Sequence, residues 1–579
     1  MRFVLRYIKP YSRWIFLSFL FVFLQAMTDL YLPSLMGKIV DEGIVYGDTS
    51  YILKTGGWML FVSFCGMFCA ILVSFLSSKI GLGLSRDVRQ RIFQKVLGFS
   101  VQQYDEFGTS SLITRTTNDV LQVQTFVLMG LRMMVMSPLL AIGGVIMAIS
   151  KNPGLSLIFV FILPVLAISV GLVGKTALPL FRSLQKKIDQ MTRILREQLI
   201  GMKIIRMFNR IEDEKKRYDE SNQELMQTAL RVNRLIALMM PIMMLVMNIT
   251  ILIIIWIGAG KIDAGNMQVG DLIAFIQYAM QIMMSLVMMS ILFVVVPRAQ
   301  ASAQRIAEVL EKDITVVDID AKGTEMLKIK KGEICFHDVT FSYPDAEQPT
   351  LNHLSFTIKP GKMNAIIGGT GSGKTALLQV LLRFYNLDSG TITIDGIDIT
   401  KVLQSDLRKQ MAYVPQKNVL FTGTIADNLR YGNEYATDEM LKKAAEISQS
   451  LSFIEATEKG FDTEVSQGGK NFSGGQKQRL AIARALVRAA KIYLFDDSFS
   501  ALDFKTDAKL RQAMRETLEG RTVVLIAQRI HTIQDADQII VMDKGRIVGI
   551  GTHEQLLESC EIYQETAKSQ MIEEGFGHA

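Results

Sequence analysis

Cysteine is scarce, four in 579 residues, and only Cys65 and Cys69 lie near each other. They sit one helical turn apart in an apolar run, without the paired clusters that a zinc site needs, and read as inert residues. Low-complexity tracts and internal repeats are also absent, which excludes a repeat array. The opening MRFVLRYIKPYSRW runs into an apolar stretch with no small-residue cleavage site. It is therefore expected to be retained as an amphipathic helix on the cytoplasmic face. Charge is sparse, 21% against 49% hydrophobic residues, so membrane segments plus a charged soluble part are expected. A net charge of +7 would suit nucleic acid. Lys and Arg, however, gather in stretches flanking apolar runs, the positive-inside distribution, and no nucleic-acid partner is expected.

A helix crossing the hydrocarbon core needs about 20 apolar residues. The runs Trp14–Met36, Gly56–Ile80, Met129–Ser150, Leu155–Gly174, Leu235–Ile257 and Leu272–Val296 meet or approach that length. Connections after the first, third and fifth are short. Those after the second and fourth are long, basic and helix-compatible, which places them and both termini in the cytoplasm. Their tips are expected near Gln102–Ser111 and Ile211–Tyr218. The resulting division is a membrane domain over 1–310, a charged linker over 311–332 and an α/β nucleotide-binding domain over 333–579.

The apolar strand Ala365–Ile367 runs into Gly368-Gly369-Thr370-Gly371-Ser372-Gly373-Lys374-Thr375 and then a helical stretch. This is the phosphate-binding loop in its strand–loop–helix context. Glycines let backbone N–H groups close around phosphate, Lys374 supplies a point charge to the terminal phosphates, and Thr375 offers its hydroxyl to Mg²⁺. Downstream, Ile492–Phe495 is an apolar strand ending in Asp496 and Asp497, of which Asp496 fits the Mg²⁺-organising acid. Between these segments, Ser473-Gly474-Gly475-Gln476 opens a helix and forms an anion site from N–H groups and the helix dipole.

From about Glu333 onward the chain resembles an ATP-binding cassette domain, and over nearly its full length it resembles a bacterial multidrug-type half-transporter. That resemblance implies six transmembrane helices with long cytoplasmic extensions, the type IV exporter fold, fused to an α/β P-loop NTPase, with ATP and Mg²⁺ as cofactors. Tyr343 in FSYPD looks like the aromatic that stacks on adenine. Gln416 in YVPQ looks like the residue joining Mg²⁺ to the membrane domain. Phe472–Gln476 resembles the signature motif, with Phe for the usual Leu, and Ser500–Asp503 matches the D-loop. Ser110–Val120 and Met207–Tyr218 resemble the two intracellular loops.

The sequence also departs from the family. Hydrolysing cassettes carry Glu where Asp497 stands, as the base for the attacking water. Asp is a methylene shorter, and a misplacement of about 1 Å can cost on the order of a hundredfold in rate. The expected switch histidine is Gln528, an amide that cannot carry positive charge. Val465-Ser466-Gln467 replaces a VGE-type loop. Together these features resemble the degenerate half of a heterodimer. A second, different subunit with Glu and His at those positions is expected, its site completed by Phe472–Gln476 of this chain. The resemblance gives Asp503 a place beside Asp497 and Gln528 in catalysis.

Cargo is less legible. Gln277, Gln281, Met284 and Met288 fall on one helical face, with Met280 and Ser285. Amides are unfavourable against lipid and methionine adapts to varied apolar shapes, so this face is expected to meet small apolar or amphipathic cargo. Asp29 lies inside the first run; as an intramembrane carboxylate it is a functional candidate, with hydrogen bonding between helices as the favoured alternative. Asp41 and Glu42 are expected to be solvated. The chain is expected in a bacterial cytoplasmic membrane, in contact with lipid.

Overall fold

The computed structural model describes residues 6–318, 328–344 and 346–576. They fall into two compact units, one within Met1–Lys95 and Ser110–Lys312, the other within Val96–Thr109 and Asp313–Ala579.

The first unit is helical: α1 (Ser12–Lys38), α2 (Thr49–Leu97), then, beyond the short helix α3 (Val101–Phe107) of the other unit, α4 (Val120–Lys151), α5 (Pro153–Met207), α6 (Ile211–Asp263) and α7 (Val269–Glu311). Among the described residues, α1, α2, α4, α6 and α7 belong to five helices long and apolar enough to cross a membrane. In α5 the corresponding apolar stretch is Pro153–Leu166, inside a helix unbroken to Met207. Helices suit this setting because every backbone group is satisfied within the segment. Large apolar side chains such as Phe64, Phe161 and Trp256 stay exposed, as they would against hydrocarbon. The interior is closed by Leu30, Leu155, Phe159, Phe275, Tyr278 and Ile282, with Phe159 stacked on Phe275 at 5.3 Å.

Several expectations change. From Arg6 the N-terminal segment is helical and runs through the turn Lys9–Tyr11 straight into α1, while residues 1–5 of the expected interfacial helix lie outside the described residues. Asp41 is buried rather than solvated, and its carboxylate accepts from the Gly270 N–H at 2.6 Å. The cause is a close helix crossing, since a Cβ on Gly270 would lie 2.1 Å from the Gly37 carbonyl oxygen. The tip expected at Ile211–Tyr218 is instead the turn Phe208–Arg210, with Asn209 at φ 53°, and Ile211–Tyr218 is already helix. Asp119 is buried at the start of α4, where it accepts from Ser302 at 2.8 Å and pairs with Arg305 of α7.

The second unit contains α3 and an α/β body. Its strands are β1 (Ile334–Phe341), β2 (Leu351–Ile358), β3 (Met363–Gly368), β4 (Ser389–Ile394), β5 (Ile397–Asp398), β6 (Met411–Val414), β7 (Gly423–Thr424), β8 (Glu464–Val465), β9 (Ile492–Asp496), β10 (Thr522–Ile526), β11 (Gln538–Asp543) and β12 (Arg546–Gly551). A four-stranded antiparallel sheet has order β2-β1-β4-β5, and a six-stranded sheet has order β12-β11-β3-β10-β9-β6. In the larger sheet only β12 runs antiparallel. β9 and β10 are buried along their whole length, as expected for strands covered on both faces. The helices that frame the site are α8 (Lys374–Leu381), α9 (Gly474–Val487), α10 (Phe504–Thr517) and, last in the chain, α11 (Glu561–Phe576).

α3 is held by a capping box, Ser100 with Gln103. Ser100 also accepts from the Thr315 hydroxyl at 2.9 Å. Thr315 in turn is tied through its carbonyl to Asn386, and Asp318 accepts from Arg383 and from the Gln404 N–H. The loop tip, the start of the linker and the α/β body thus form one hydrogen-bonded run inside this unit.

Candidate nucleotide site

Parallel register places the candidate residues. Ile366 of β3 pairs with Ile526 of β10, and Ile526 with Asp496 of β9. The phosphate loop, Gln528 and the two aspartates therefore all leave the same carboxyl edge of three adjacent strands, where open α/β sheets bind ligands. They line one cavity of about 280 Å³ together with Tyr343, Thr350 and Gln416.

The loop owes its path to Gly371 and Gly373, at φ 82° and 98°. Gly373 has a second constraint, because a Cβ there would lie 2.7 Å from the Thr350 carbonyl oxygen. Lys374 is buried, and its ammonium donates to the carbonyls of Gly368 and Gly369, each at 2.7 Å. Burial lowers its pKa, opposed by the charges of Asp497 and Asp496.

Asp496 accepts from the Thr375 hydroxyl at 3.1 Å and from the Tyr413 hydroxyl at 3.3 Å. Burial raises its pKa, and those two hydrogen bonds act against the rise. Asp497 follows at φ 47°, a left-handed conformation that turns its carboxylate toward the next strand. There it accepts from Gln528 Nε2 at 2.9 Å and from Gln416 Nε2 at 3.3 Å. Its pKa is also raised, chiefly by burial, with Gln416, Lys374, Arg529 and Gln528 opposing.

The donor set fits the expected ligands. Glycine backbone and a buried ammonium suit a polyphosphate, while the hydroxyl of Thr375, the carboxylate of Asp496 and the amide oxygen of Gln416 are hard donors of the kind Mg²⁺ takes beside phosphate. No group of three or more His, Cys, Asp or Glu with metal-holding geometry occurs among the described residues.

Other candidates are placed differently. Tyr343 reaches the cavity, but its ring lies edge-on to Phe341 and Tyr385 and its hydroxyl donates to Gln379 at 2.6 Å. Burial pushes its pKa up to about 12. Ser473, Gly474, Gly475 and Gln476 are not in the cavity. They form the exposed start of α9, closed by a Ser473–Gln476 capping box, and a Cβ on Gly475 would lie 3.1 Å from the Ala501 carbonyl oxygen. Asp503 also lies outside, where it caps α10 by accepting from the Thr506 N–H at 3.0 Å, and this bond lowers its pKa. In the first unit, Gln281 donates to the Asp29 carbonyl at 2.8 Å, Met284 is exposed, and Gln277 and Met288 are half-buried. Sequence reading missed Tyr413 and Gln379. Tyr413 was in principle findable, lying three residues before Gln416 on the strand beside β9.

Comparison with known proteins agrees with this geometry. Residues 15–286 match the family model of the ABC transporter transmembrane region, and residues 351–500 match that of the ABC transporter. An uncharacterized ABC transporter ATP-binding protein of Mycobacterium tuberculosis is 39% identical, over 98% of this chain and 97% of its own length. The uncharacterized ABC transporter ATP-binding protein YfiB of Bacillus subtilis is 38% identical over 99% of each. An ATP-dependent lipid A-core flippase of Vibrio vulnificus is 29% identical over 98% of this chain and 97% of its own. A bacterial Atm1-family ABC exporter, solved with ATP bound, superposes with a TM-score of 0.79 at 26% identity, over 96% of this chain and 98% of that one. The chain belongs to the ABC transporter family, as an exporter half-transporter whose helical transmembrane region is fused to an ATP-hydrolysing cassette.

Proposed function

We propose that this chain is the weakly hydrolysing subunit of a heterodimeric exporter, moving hydrophobic or amphipathic small molecules across a bacterial cytoplasmic membrane with both termini and the cassette inside. Residues 1–310 form the membrane domain, 311–332 the linker and 333–579 the cassette. One observation carries the reading: the carboxylate of Asp497, already a methylene short, accepts from two amides, Gln528 and Gln416. A carboxylate whose lone pairs are engaged by two amides is not free to take a proton from water, and an amide in the switch position brings no charge to a developing phosphoryl transition state.

Each remaining residue has its task. Lys374 and the loop N–H groups hold the β- and γ-phosphates, Thr375, Asp496 and Gln416 hold Mg²⁺, and Tyr343 stacks on adenine after turning from its aromatic neighbours. Bound Mg²⁺ neutralises charge on the phosphates. The exposed Ser473-Gly474-Gly475-Gln476 turn lends its N–H groups to the partner's nucleotide, and Asp503 acts in the same interface. Gln277, Gln281, Met284 and Met288 face the cargo path. The test compares ATPase of the lone chain with that of the chain plus its genomic neighbour. Turnover confined to the pair, and unaffected by Asp497→Asn, is expected. Robust turnover by the lone chain, abolished by Asp497→Asn, overturns the heterodimer.

A lipid cargo is the second reading, favoured by the similarity to the lipid A-core flippase. Movement of labelled lipid, with no movement of amphipathic dyes, in proteoliposomes would select it.

A further inference from the structure

The last helix of the chain reaches back to the loop that carries Gln528. Gln570 of α11 accepts from the Ile530 N–H through Oε1 at 2.8 Å and donates through Nε2 to the Gln528 carbonyl, also at 2.8 Å. One side-chain amide thus closes both backbone groups that flank Arg529.

The local sequence explains why outside help is needed. Ile530–Ile533 is a single helical turn whose N-cap residue is Arg529, and no side chain caps it. Arginine has only donors and cannot accept from an orphan N–H at a helix start. Gln570 supplies that acceptor from 40 residues away. Its own position is fixed by periodicity: Tyr563 and Ala567 are buried in the cassette core, and Gln570 follows on the same face at i+7. Tyr563 is anchored in addition by its hydroxyl, 2.7 Å from His553 Nδ1.

We infer that Gln570 is a positioning residue for the nucleotide site: by clipping the Gln528–Ile530 backbone it holds the Gln528 amide at Asp497, where the γ-phosphate contact is made. The C-terminal helix thereby sets how well the site distinguishes ATP from ADP. This rests on the proposed reading of Gln528, and the test separates the two.

Full-length chain in nanodiscs is titrated with MgATP and MgADP for the wild type, Gln570→Ala, Gln570→Glu, Gln528→Ala and the Gln570→Ala/Gln528→Ala double variant. Gln570→Ala is expected to weaken ATP about tenfold, from the loss of two hydrogen bonds that order the loop, and to leave ADP within about twofold. Gln570→Glu keeps the bond from Ile530 but sets an oxygen against the Gln528 carbonyl, so an intermediate loss is expected. In the double variant, Gln570→Ala should add nothing to Gln528→Ala. Equal weakening of ATP and ADP, additive effects, or an unchanged ATP/ADP ratio in Gln570→Ala would each overturn the clip. If Gln528→Ala itself leaves the ratio unchanged, the reading of Gln528 fails, whatever Gln570 does.

Discussion

The two sides of the nucleotide cavity start from adjacent residues and end in different chemistry. On the phosphate side, the buried Lys374 ammonium and the Thr375–Asp496 pair keep the charges that a Mg²⁺-bound polyphosphate demands. On the other side, one residue further along, the Asp497 carboxylate accepts its hydrogen bonds from the neutral amides of Gln416 and Gln528. Binding and cleavage therefore make separable demands on one sheet edge, and a chain can meet the first while relaxing the second. Breaking the phosphate side should have the largest effect. Lys374→Ala removes the ammonium that lines the cavity, and hydrogen bonds to charged groups contribute about 1.5–3 kcal/mol each. ATP affinity is expected to fall at least on the order of a hundredfold, measured with a fluorescent ATP analogue. Retained affinity would mean that backbone N–H groups alone hold the phosphates.

Rebuilding the other side should have the next largest effect. Asp497→Glu restores the missing methylene and Gln528→His a group able to carry charge. Together they are expected to raise ATPase of the lone chain by about ten- to a hundredfold, with ATP affinity little changed. Neither substitution alone should reach that value, because base and switch act on the same reacting atoms. If the double variant hydrolyses no faster, the difference between the two sides is not what limits cleavage.

Acid should act on the aspartates in a direction opposite to the usual one. A carboxyl with a folded-state pKa raised by burial, as at Asp496 and Asp497, contributes stability fully below the unfolded value of about 3.9, and that contribution is lost as pH rises through the folded value. Asp395 is the counterexample within the same unit. Burial alone would raise it, but N–H groups of Glu333, Lys330, Lys331 and Gly332 outweigh that and lower its pKa. Its stabilisation is present above about 3.9 and lost only as pH falls through the lowered folded value. Between neutral pH and about 4, the nucleotide-free chain should therefore lose less thermal stability than a variant carrying Asp496→Asn and Asp497→Asn. MgATP affinity should weaken over the same range, since Mg²⁺ needs the ionised carboxylate. Parallel melting profiles for chain and variant would remove burial as the cause.

The phosphate side was almost wholly legible because its chemistry is contiguous: eight residues, Gly368–Thr375, carry loop, charge and hydroxyl together. The strand ending in two aspartates was legible for the same reason. What escaped is what only tertiary structure assembles. Tyr413 reaches Asp496 through parallel pairing of β6 with β9, and Gln570 reaches Gln528 across the core. Asp41 was misjudged because nothing local announces that Gly37 and Gly270 let two helices cross closely enough to bury it. In the membrane helices the apolar lengths were readable. The partner of each polar side chain was not, since a helical face fixes direction but not neighbour.

Gln281 sharpens that last point and should give the smallest effect. Its Nε2 donates to the Asp29 carbonyl of α1, while Oε1 is buried and without a partner among the described residues. A side chain that only ties α7 to α1 should lose about 0.6 kcal/mol on Gln281→Ala, the average for interhelical hydrogen bonds in membranes. Transport would then change less than twofold for every cargo tested. A side chain that also presents its free oxygen to cargo should instead change transport selectively, for hydrogen-bonding cargo and not for purely apolar cargo. Pairing the change with Met284→Ala separates the cases further, because Met284 is exposed. If neither substitution alters transport or cargo-stimulated ATPase, this face packs helices and the cargo path lies elsewhere.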